Sequence, residues 1–399
     1  EKHTILINMH KIFSMRTIHG IITVINLPIV LMVYAIQPFV KLRFGYFSAN
    51  RIGHFALDLG YEIAQNKNKN KNEINLYYLQ GDVSNSQLAI IAKRELNVSQ
   101  YYRYFVYAYM ALGLDKNILL PNRYKSESAG SRDITGTTYY SQYNISLLDQ
   151  ENVISESYMK KHGWTHGEKF ICINVRDNAF FDELEVSRHS YRNTDIDTYE
   201  EAVNYLLSLG YWIVRMGKKV EKPFKIKHSR LIDYGSDPNR SDLLDIWFCK
   251  NCYFFISTGT GVDSVAIMFK KQIVFVNHLP LVHIHSWVDS ITVPKRLFWD
   301  NGKELSLKEH LDNAYVDTRQ YKKNKINIID LSPDEIKSVV QEMVMRLNGS
   351  ILTIKQNQEQ KLFWEILEHH DSYGIHHNVR NPNALFGISF LKRNPDFLS

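Results

Sequence analysis

The stretch YFFISTGTGVDSVAIMFKKQIVFVNH, residues 253–278, decides the fold class. Its two apolar runs, 253–258 and 272–278, have the length and the aromatic or β-branched composition of buried strands. Between them, the glycines of residues 259–261 predict a turn, and the residues up to 270 predict a helix. Continuous apolar strands are buried on both faces, as in a parallel sheet. The stretch therefore predicts a strand–turn–helix–strand unit.

The same alternation continues towards the N-terminus. Further strands are predicted at residues 170–177, 211–217 and 230–235, and helices at 198–209 and 241–250. Such alternation predicts a doubly wound α/β sheet, in which ligands bind at the carboxyl ends of the strands. Those ends carry Arg176, Asp177, Arg215, Gly217, Lys218, Lys219, Ser257–Gly261, Asn277 and His278.

A shorter alternation of predicted strands and helices precedes this sheet in the sequence. Residues 39–47 predict a strand, 55–65 an amphipathic helix and 74–81 a second strand. The loop before the helix carries Asn50, Arg51, Gly53 and His54, where a glycine and a helix N-terminus favour contact with an anion. We therefore expect two Rossmann-like domains. The expected boundaries are an apolar segment at 1–38, a first domain at 39–163, a second domain at 164–348, and a helical tail at 349–399 that packs back on the first domain.

The composition excludes several classes of protein. With 44% hydrophobic and 23% charged residues, the chain is neither disordered throughout nor collagen-like. A net charge of +6 over 399 residues is too small for a nucleic-acid-binding protein and fits anionic small molecules or an anionic membrane surface. Three cysteines exclude a disulfide scaffold and indicate a reducing compartment.

An uncharged run, GIITVINLPIVLMVYAIQPFV, occupies residues 20–40. It is long enough for a bilayer-spanning helix, but Asn26, Pro28 and Gln37 disfavour a crossing. Basic residues stand on both sides of the run, namely Lys11, Arg16, His19, Lys41 and Arg43. We therefore expect the run to lie in the membrane interface, with the protein on the cytoplasmic face of the cell membrane. The alternative is a buried helix or strand of the first domain.

The residues Ser257–Gly261 are the strongest chemical signal. Gly259 and Gly261 would let backbone N–H groups converge, and the following helix dipole favours a phosphate. Hydroxyl donors are present at Ser257, Thr258, Thr260 and Ser264. Ser264 stands where the dinucleotide fingerprint needs its third glycine, which disfavours NAD, and the absence of a Walker motif disfavours ATP hydrolysis. A nucleotide diphosphate is predicted; the alternative is a tight turn without a ligand.

Cationic side chains cluster near the predicted strand ends. Arginines such as Arg176, Arg192 and Arg215 suit phosphate oxygens, because the guanidinium group presents a fork of donors. The alternative is that these arginines and the nearby lysines form ion pairs with Asp177, Asp195 or Glu221. The loop HSYRNTDIDTY, residues 189–199, is long and polar, so its Tyr191, Arg192, Asn193 and Asp195 could contact substrate. Alternatively, Asp195 or Thr198 caps the following helix.

Two further patterns are interpreted as structural or solvated. Cys249 and Cys252 have C-x-x-C spacing, but no second pair exists for zinc. The histidines His278, His283 and His285 share one predicted loop, where a substrate-facing or solvated loop is favoured over a metal site. No D-x-D motif follows a strand of the second domain, so we expect no metal and no cofactor other than a nucleotide-sugar co-substrate.

Longer blocks of the chain resemble a bacterial family of glycosyltransferases that is similar to GT-B enzymes and occurs in surface-polysaccharide gene clusters. The blocks run from about residue 39 to the C-terminus, outside the apolar run and NKNKNKN (66–72). They are RFGYFSANRIGHFAL, GSRD, NVRDNAFF, HSYRNTDIDTY, GYWIVRMGK, RSDLLDIWFCKNCYFFISTGTGVDSVAIMFKKQIVFVN and LFGISFLKRNP.

The resemblance implies a GT-B fold with a nucleotide-sugar in the C-terminal domain, a glycan or lipid-linked acceptor in the N-terminal domain, and catalysis in the cleft between them. Carried over by position, Ser257–Gly261 would hold the donor diphosphate, and Arg176 and Arg215 would neutralise it. Arg51, Gly53 and His54 would face the cleft, with Asn50 on the acceptor side. The candidate donor-binding residues are Arg176, Arg192, Asn193, Arg215, Gly217, Lys218, Ser257, Thr258, Gly259, Thr260, Gly261 and Ser264.

Glycosyl transfer needs stabilisation of the leaving diphosphate and a base for the acceptor hydroxyl. His54 and Asp177 are the candidate bases. We expect a metal-independent, inverting enzyme, although the residues alone do not distinguish inversion from retention. The alternatives are a non-catalytic nucleotide- or sugar-binding module of a membrane assembly complex, and a nucleotide-sugar epimerase.

Overall fold

The computed structural model of the chain describes residues 20–21, 24–66, 72–114, 120, 133–179 and 187–399. Most of the polar run 66–72 and the basic residues Lys11, Arg16 and His19 lie outside the described residues. The chain divides into two compact units. The first comprises residues 1–51 and 62–125, and the second comprises residues 52–61 and 126–399.

The first unit is built on a parallel pair of strands. Strand β1 (Lys41–Ser48) pairs with β2 (Glu73–Gln80) in a register that aligns Lys41 with Glu73. The helix between them, α1 (Ile52–Asn66), is the crossover that a parallel pair requires, and its residues 52–61 belong to the second unit. Helices α2 (Ser86–Glu95) and α3 (Tyr102–Ala111) follow. Phe44 and Tyr109, whose ring centroids are 5.9 Å apart, form part of the core of this unit.

Residues 24–36 of the apolar run are helical, and Pro28 lies within them. Val30 belongs to the core of the first unit, and Val33 is partly buried against it. Among the described residues, no helix is long and apolar enough to cross a membrane.

The second unit contains a parallel sheet, as the strand–helix alternation predicts. Seven strands of the described residues pair in the order β11-β8-β7-β6-β3-β4-β5, all parallel. They are β3 (Phe170–Asn174), β4 (Trp212–Arg215), β5 (Leu231–Ile232), β6 (Phe255–Ser257), β7 (Ile273–Phe275), β8 (Ser290–Thr292) and β11 (Ala384–Phe386). A separate antiparallel pair joins β9 (Arg296–Trp299) to β10 (Ile326–Ile329).

The strand order fixes where a ligand would bind. The chain runs outward from β3 through β4 to β5, and then returns to the other side of β3 with β6, β7 and β8. This is the doubly wound order, in which the crevice lies beyond the carboxyl ends of the two strands where the direction reverses. Those strands are β3 and β6, which pair directly from Cys172 with Phe255 to Asn174 with Ser257.

Helices cover both faces of this sheet. The second unit contains α4 (Thr137–Tyr140), α5 (Asp149–Lys161), α6 (Glu200–Ser208), α7 (Asp242–Asn251), α8 (Asp263–Met268), α9 (Leu307–Asp312), α10 (Thr318–Lys323), α11 (Pro333–Leu347), α12 (Ile354–Glu368), α13 (Tyr373–His376) and α14 (Ile388–Arg393). Ile171 and Ile173 of β3 share a core with residues of α6 and α11. The alternate residue Phe170 stacks on Trp247 of α7, with ring centroids 5.5 Å apart. Alternating side chains therefore bury both faces of β3.

Two of the expected boundaries differ from the structure. Residues 126–163 belong to the second unit, so the division falls before them rather than at residue 163. The tail after residue 348 also belongs to the second unit, whereas we expected it to be helical and to pack on the first domain. It is not wholly helical, because β11 pairs with β8 at the edge of the sheet.

Candidate functional site

The segment Ser257–Gly261, called the glycine loop below, lies between β6 and α8 at the reversal of strand order. It is organised around a buried carboxylate that sequence reasoning missed. Asp263 accepts hydrogen bonds from the Ser257 hydroxyl at 2.7 Å and from the Thr260 backbone N–H at 2.6 Å. The Gly259 N–H donates to the Ser257 hydroxyl oxygen at 3.1 Å. Two N–H groups that we expected to face a phosphate are therefore used inside the loop.

Burial perturbs the Asp263 carboxyl group. Its desolvation raises the pKa from 3.8 to about 6, although the hydrogen bonds from Ser257 and Thr260 and the nearby Arg192 act in the opposite direction. The raised pKa shows that the loss of hydration of the carboxylate has a larger effect than the hydrogen bonds and the arginine charge around it. The glycine loop thus has a buried carboxyl group behind it whose pKa is raised well above that of an exposed aspartate.

The end of β3 is hydrogen-bonded to the glycine loop. The Asn174 side chain donates to the Thr260 hydroxyl at 2.6 Å, and the Arg176 backbone N–H donates to the Thr258 hydroxyl at 3.0 Å. Thr258 is buried and Thr260 is half-buried. The two strand ends that enclose the crevice of a doubly wound sheet are therefore held together by hydroxyl groups of the loop.

The predicted polar loop 189–199 brings two further side chains to this edge. Arg192 donates to the carbonyl oxygen of Gly259, and Asn193 accepts a hydrogen bond from the Arg176 guanidinium Nε at 3.2 Å. Lys295, a buried lysine after β8, donates to the Asn193 carbonyl and forms an ion pair with Asp330 at 2.6 Å. The structure thus brings together three residues singled out in the sequence, Arg176, Arg192 and Asn193, with a lysine that the sequence did not single out.

His278, at the end of β7, lies against the same loop. A Cβ atom added at Gly259, where φ is +76°, would be 3.1 Å from the His278 Nδ1 atom. Gly259 therefore needs to be glycine for two reasons, its positive φ and the neighbouring imidazole. Burial holds the pKa of His278 well below its usual value, so the ring is neutral at pH 7. Its Nε2 atom is 3.3 Å from the His283 carbonyl oxygen, which favours Nε2 as the protonated nitrogen.

The start of α1 packs against the glycine loop. A Cβ atom added at Gly53 would lie 3.0 Å from the Gly261 Cα, and one added at Gly261 would lie 3.3 Å from the Gly53 nitrogen. Two facing glycines therefore allow the N-terminus of α1 to approach the loop. His54, the next residue, is half-buried and lies in the same unit as the loop, whereas we expected it in the first domain.

Asp177, the second candidate base, is held by backbone groups. One carboxylate oxygen accepts from the Ala179 N–H at 3.0 Å and the other from the Glu221 N–H at 2.9 Å. Asp177 therefore ties the chain after β3 to the chain after β4. Both carboxylate oxygens therefore have backbone partners within the second unit.

Arg215 does not have the role that we expected. Its guanidinium is buried, forms an ion pair with Asp233 at 3.1 Å and donates to the Lys222 carbonyl at 2.7 Å. The same carboxylate, through Oδ2, accepts from the Phe224 N–H at 2.9 Å. An arginine buried in this way contributes to the β4–β5 region, and the contacts of its Nη1 atom are with protein groups rather than with solvent.

The remaining predicted residues are more peripheral. Gly217 has a φ of +154° and a Cβ there would meet Val220 at 2.7 Å, so a turn explains this glycine. The Lys218 carbonyl accepts from Arg240 at 3.1 Å, and the Lys218 residue is exposed. Asn50 and Arg51 are exposed residues of the first unit. Ser264 is buried, with its hydroxyl 3.5 Å from Asp263.

Two structural interpretations are consistent with the geometry. Asp195 caps the helical turn after it by accepting from the Asp197 N–H at 2.9 Å and also pairs with Lys222 at 2.7 Å. Cys249 and Cys252 are buried free thiols, and burial raises the pKa of Cys249 well above its usual value. Among the described residues, no group of three or more His, Cys, Asp or Glu side chains is placed to hold a metal ion.

Three residues of this site were not singled out in the sequence. Each of them is buried or has a hydrogen-bond partner far along the chain; they are Asn174, Asp263 and Lys295. Asp263 had a readable signal, because a carboxylate in the first turn of a helix after a glycine turn commonly accepts loop N–H groups. Asn174 stands at the end of an apolar strand, which also marks it as a strand-end polar residue. For Lys295, the pattern of the sequence holds no comparable signal.

Comparison with known proteins gives distant likenesses. No family model and no curated protein matches the sequence. In structure, the chain is similar to a family 9 glycosyl transferase from Veillonella parvula, with a TM-score of 0.42 and 11% identity over 64% of this chain and 86% of that one. It is also similar to E. coli ADP-heptose LPS heptosyltransferase II, with a TM-score of 0.42 and 11% identity over 77% of this chain and 100% of that one. The iron-containing dodecameric glycosyltransferase TibC from enterotoxigenic E. coli has the same TM-score and identity, over 78% and 79%. With TM-scores below 0.5, these likenesses assign neither a fold nor an activity to this chain.

Proposed function

We propose that the chain is a glycosyltransferase of the GT-B type. It would move a sugar from a nucleotide-sugar donor to a glycan or lipid-linked acceptor in bacterial surface-polysaccharide synthesis, without a metal and with inversion at the sugar carbon. The observation that carries the proposal is the glycine loop at the reversal of strand order, joined to the end of β3 and flanked by Arg176 and Arg192. Cations at that edge suit a leaving nucleoside diphosphate, which gains negative charge during transfer.

The arginines would provide most of the charge stabilisation. A guanidinium group has five N–H donors. In Arg192 one of its amino groups contacts the Gly259 carbonyl, and in Arg176 the Nε contacts Asn193. These contacts hold the two side chains at the loop, where guanidinium groups suit phosphate oxygens. Lys295 would act indirectly, because it holds the backbone of Asn193.

The glycine loop itself would contribute less to diphosphate binding than its sequence indicates. The N–H groups of Gly259 and Thr260 already have partners within the loop, and Asp263 lies behind them. Gly261 is exposed, and its close approach to Gly53 brings the start of α1 to the same place. The N-terminal end of α1, a helix of 15 residues, would add a favourable potential for the diphosphate there.

In the proposed reaction, a base takes the proton of the acceptor hydroxyl, whose oxygen forms a bond to the anomeric carbon. The bond from that carbon to the diphosphate oxygen breaks, and the diphosphate leaves with the electron pair. The products are the glycosylated acceptor, the nucleoside diphosphate and one proton. His54 is the preferred base, because a histidine has a reference pKa suited to proton transfer near pH 7, and Asp177 is the alternative.

The test is calorimetric binding of ADP, UDP, GDP, dTDP and CMP to the purified chain. We expect one of these nucleotides to bind, and the Arg192→Ala variant to bind it about 10-fold or more weakly, since charge-assisted hydrogen bonds are lost. Arg380→Ala is the matched control, because Arg380 lies in the same unit, pairs with Glu368 at 3.4 Å and lies over the Trp364 ring, neither of which belongs to the glycine loop.

Turnover distinguishes the enzyme from the alternatives. A transferase releases the nucleoside diphosphate from the bound nucleotide-sugar faster when acceptor glycans are added. Conversion of the donor without any acceptor would make the chain an epimerase, and binding without turnover would make it a binding module. If no nucleotide binds to the wild-type chain, the proposal is wrong.

A further inference from the structure

The helical residues 24–36 are fixed to the first unit along one face. The Asn26 side chain is buried and accepts a hydrogen bond from the Tyr101 hydroxyl at 3.0 Å. One turn later, Val30 is fully buried and its carbonyl accepts from the Tyr109 hydroxyl at 3.3 Å. After the helix, the Gln37 amide donates to the Leu42 carbonyl at 2.9 Å. The polar side chains that argued against a membrane crossing therefore have partners within the protein.

The other side of this segment, called the apolar face below, is exposed and uncharged. Phe39 is 78% exposed, Ile25 66% and Met32 61%. The other large apolar residues of the face are Val24, Ile29, Leu31, Tyr34 and Ile36, and all of them are exposed. Residues 24–39 contain no charged side chain. A contiguous exposed apolar surface of this kind is unusual on a soluble monomer and marks an interaction site.

We propose that the apolar face docks on the surface of an anionic lipid bilayer, with the helix lying in the plane of the membrane. The first reason is the chemistry of the face. A typical protein–protein interface has about one hydrogen bond for every 100–200 Å², but the only polar group among the large side chains of the face is the Tyr34 hydroxyl. Hydrocarbon needs no hydrogen bonds, and a tyrosine suits the boundary between hydrocarbon and headgroups.

The second reason is charge complementarity. In the sequence, residues 1–45 contain one acidic residue, Glu1, against five lysines and arginines, namely Lys2, Lys11, Arg16, Lys41 and Arg43. Of the two that lie among the described residues, Arg43 pairs with Glu73 at 3.1 Å. Lys41 is exposed directly after the segment. Basic residues beside an apolar in-plane helix attract anionic lipid headgroups. The inference is independent of the proposed glycosyl transfer, because it concerns only the first unit and its surface.

The geometry also decides the orientation. Asn26 and Val30 hold the helix against Tyr101 and Tyr109, so the helix could enter a bilayer end-on only by losing both contacts. Lying flat, it keeps these contacts and buries the apolar face in the headgroup and acyl boundary.

The experiment is co-sedimentation of the full chain with sucrose-loaded vesicles. Two compositions are compared, phosphatidylcholine alone and phosphatidylcholine with about 30% phosphatidylglycerol, which gives a negative surface. We expect the wild type to bind the anionic vesicles, and the double variant Ile25→Asp/Met32→Asp to bind them about 10-fold or more weakly. Salt should weaken the binding of the wild type in part, because it screens only the electrostatic share.

A matched control has the same substitutions on another exposed surface. Ile351 and Ile354 are 90% and 81% exposed and lie in the second unit. The variant Ile351→Asp/Ile354→Asp should sediment with the vesicles as the wild type does. Circular dichroism and thermal melting check that both double variants are folded, which is expected because the four side chains are exposed.

Three outcomes would overturn the proposal. The wild type could fail to bind either vesicle, or the Ile25→Asp/Met32→Asp variant could bind as well as the wild type. The third outcome, dimerisation through the apolar face, is detected by sedimentation velocity. If the wild type dimerises, the double variant is monomeric and neither binds vesicles, the face is an interface between two copies of the chain. Nucleotide binding by the same variants should be unchanged in every case, which separates this test from that of the glycosyl transfer.

Discussion

Asp263 offers the sharpest test of how the glycine loop is built. Its carboxylate accepts from the Ser257 hydroxyl and the Thr260 N–H, and burial raises its pKa from 3.8 to about 6. Replacing it by asparagine keeps the shape and an oxygen acceptor for the Thr260 N–H but removes the buried charge. Asp263→Ala removes the acceptor as well, so the pair of variants separates charge from hydrogen bonding.

The direction in which stability changes with pH follows from the raised pKa of Asp263. Between pH 3.8 and about 6 the folded chain binds a proton at Asp263 that the unfolded chain has lost, so protonation stabilises the fold as the pH falls. The difference between the two pKa values, at about 1.4 kcal/mol for each pH unit, corresponds to about 3 kcal/mol. The wild type should therefore lose about 3 kcal/mol from this group between pH 3.5 and pH 7, whereas Asp263→Asn should not.

The assay is urea unfolding of the wild type and both variants at several pH values and constant ionic strength. The stability of Asp263→Asn relative to the wild type should rise by about 3 kcal/mol from pH 3.5 to pH 7. Asp263→Ala should follow the same slope but lie about 1–3 kcal/mol lower throughout, because the Thr260 N–H loses its partner. A difference between Asp263→Asn and the wild type that stays constant within about 0.5 kcal/mol would refute the reasoning.

Four other predictions follow from the same contacts. Arg192→Ala should weaken nucleoside diphosphate binding by about 1.5–3 kcal/mol in calorimetry, and Arg192→Lys should recover only part of it, since lysine has no fork of donors. Gly259→Ala should destabilise the chain by about 1–2 kcal/mol in urea unfolding, because φ is +76° there. His310 is buried with both ring nitrogens unpartnered, and burial lowers its pKa to about 3. His310→Leu should therefore gain about 2 kcal/mol over the wild type between pH 7 and pH 5, as the unfolded histidine takes up a proton; equal slopes would count against it. His54→Ala should lower kcat by about 10²–10⁴-fold with little change in donor affinity, whereas a raised acceptor KM at unchanged kcat would leave Asp177 as the base.

The local pattern of the sequence was enough to predict the framework of the second unit. Each observed strand from β3 to β7 lies within a predicted run, because a strand buried on both faces is apolar at most of its positions. The strands are shorter than their runs, since the apolar residues continue into the first buried positions of the loops. Ser241 caps α7, with its hydroxyl accepting from the Leu244 N–H at 3.2 Å. The placement of the glycine loop after β6 and before α8 followed from the same local signals.

Tertiary structure alone decided which polar residues meet. Arg176 and Arg215 both end apolar strands and look alike in the sequence, yet Arg215 is enclosed by Asp233 while Arg176 lies beside Asn193. Strand order determines these partners, because it sets which strand ends are neighbours regardless of their distance along the chain. For the same reason, the approach of Gly53 to Gly261 and the addition of β11 to the sheet could not be predicted. Hydrophobic periodicity is a local property and reports burial, whereas a binding site is made by contacts between distant segments that only the folded chain brings together.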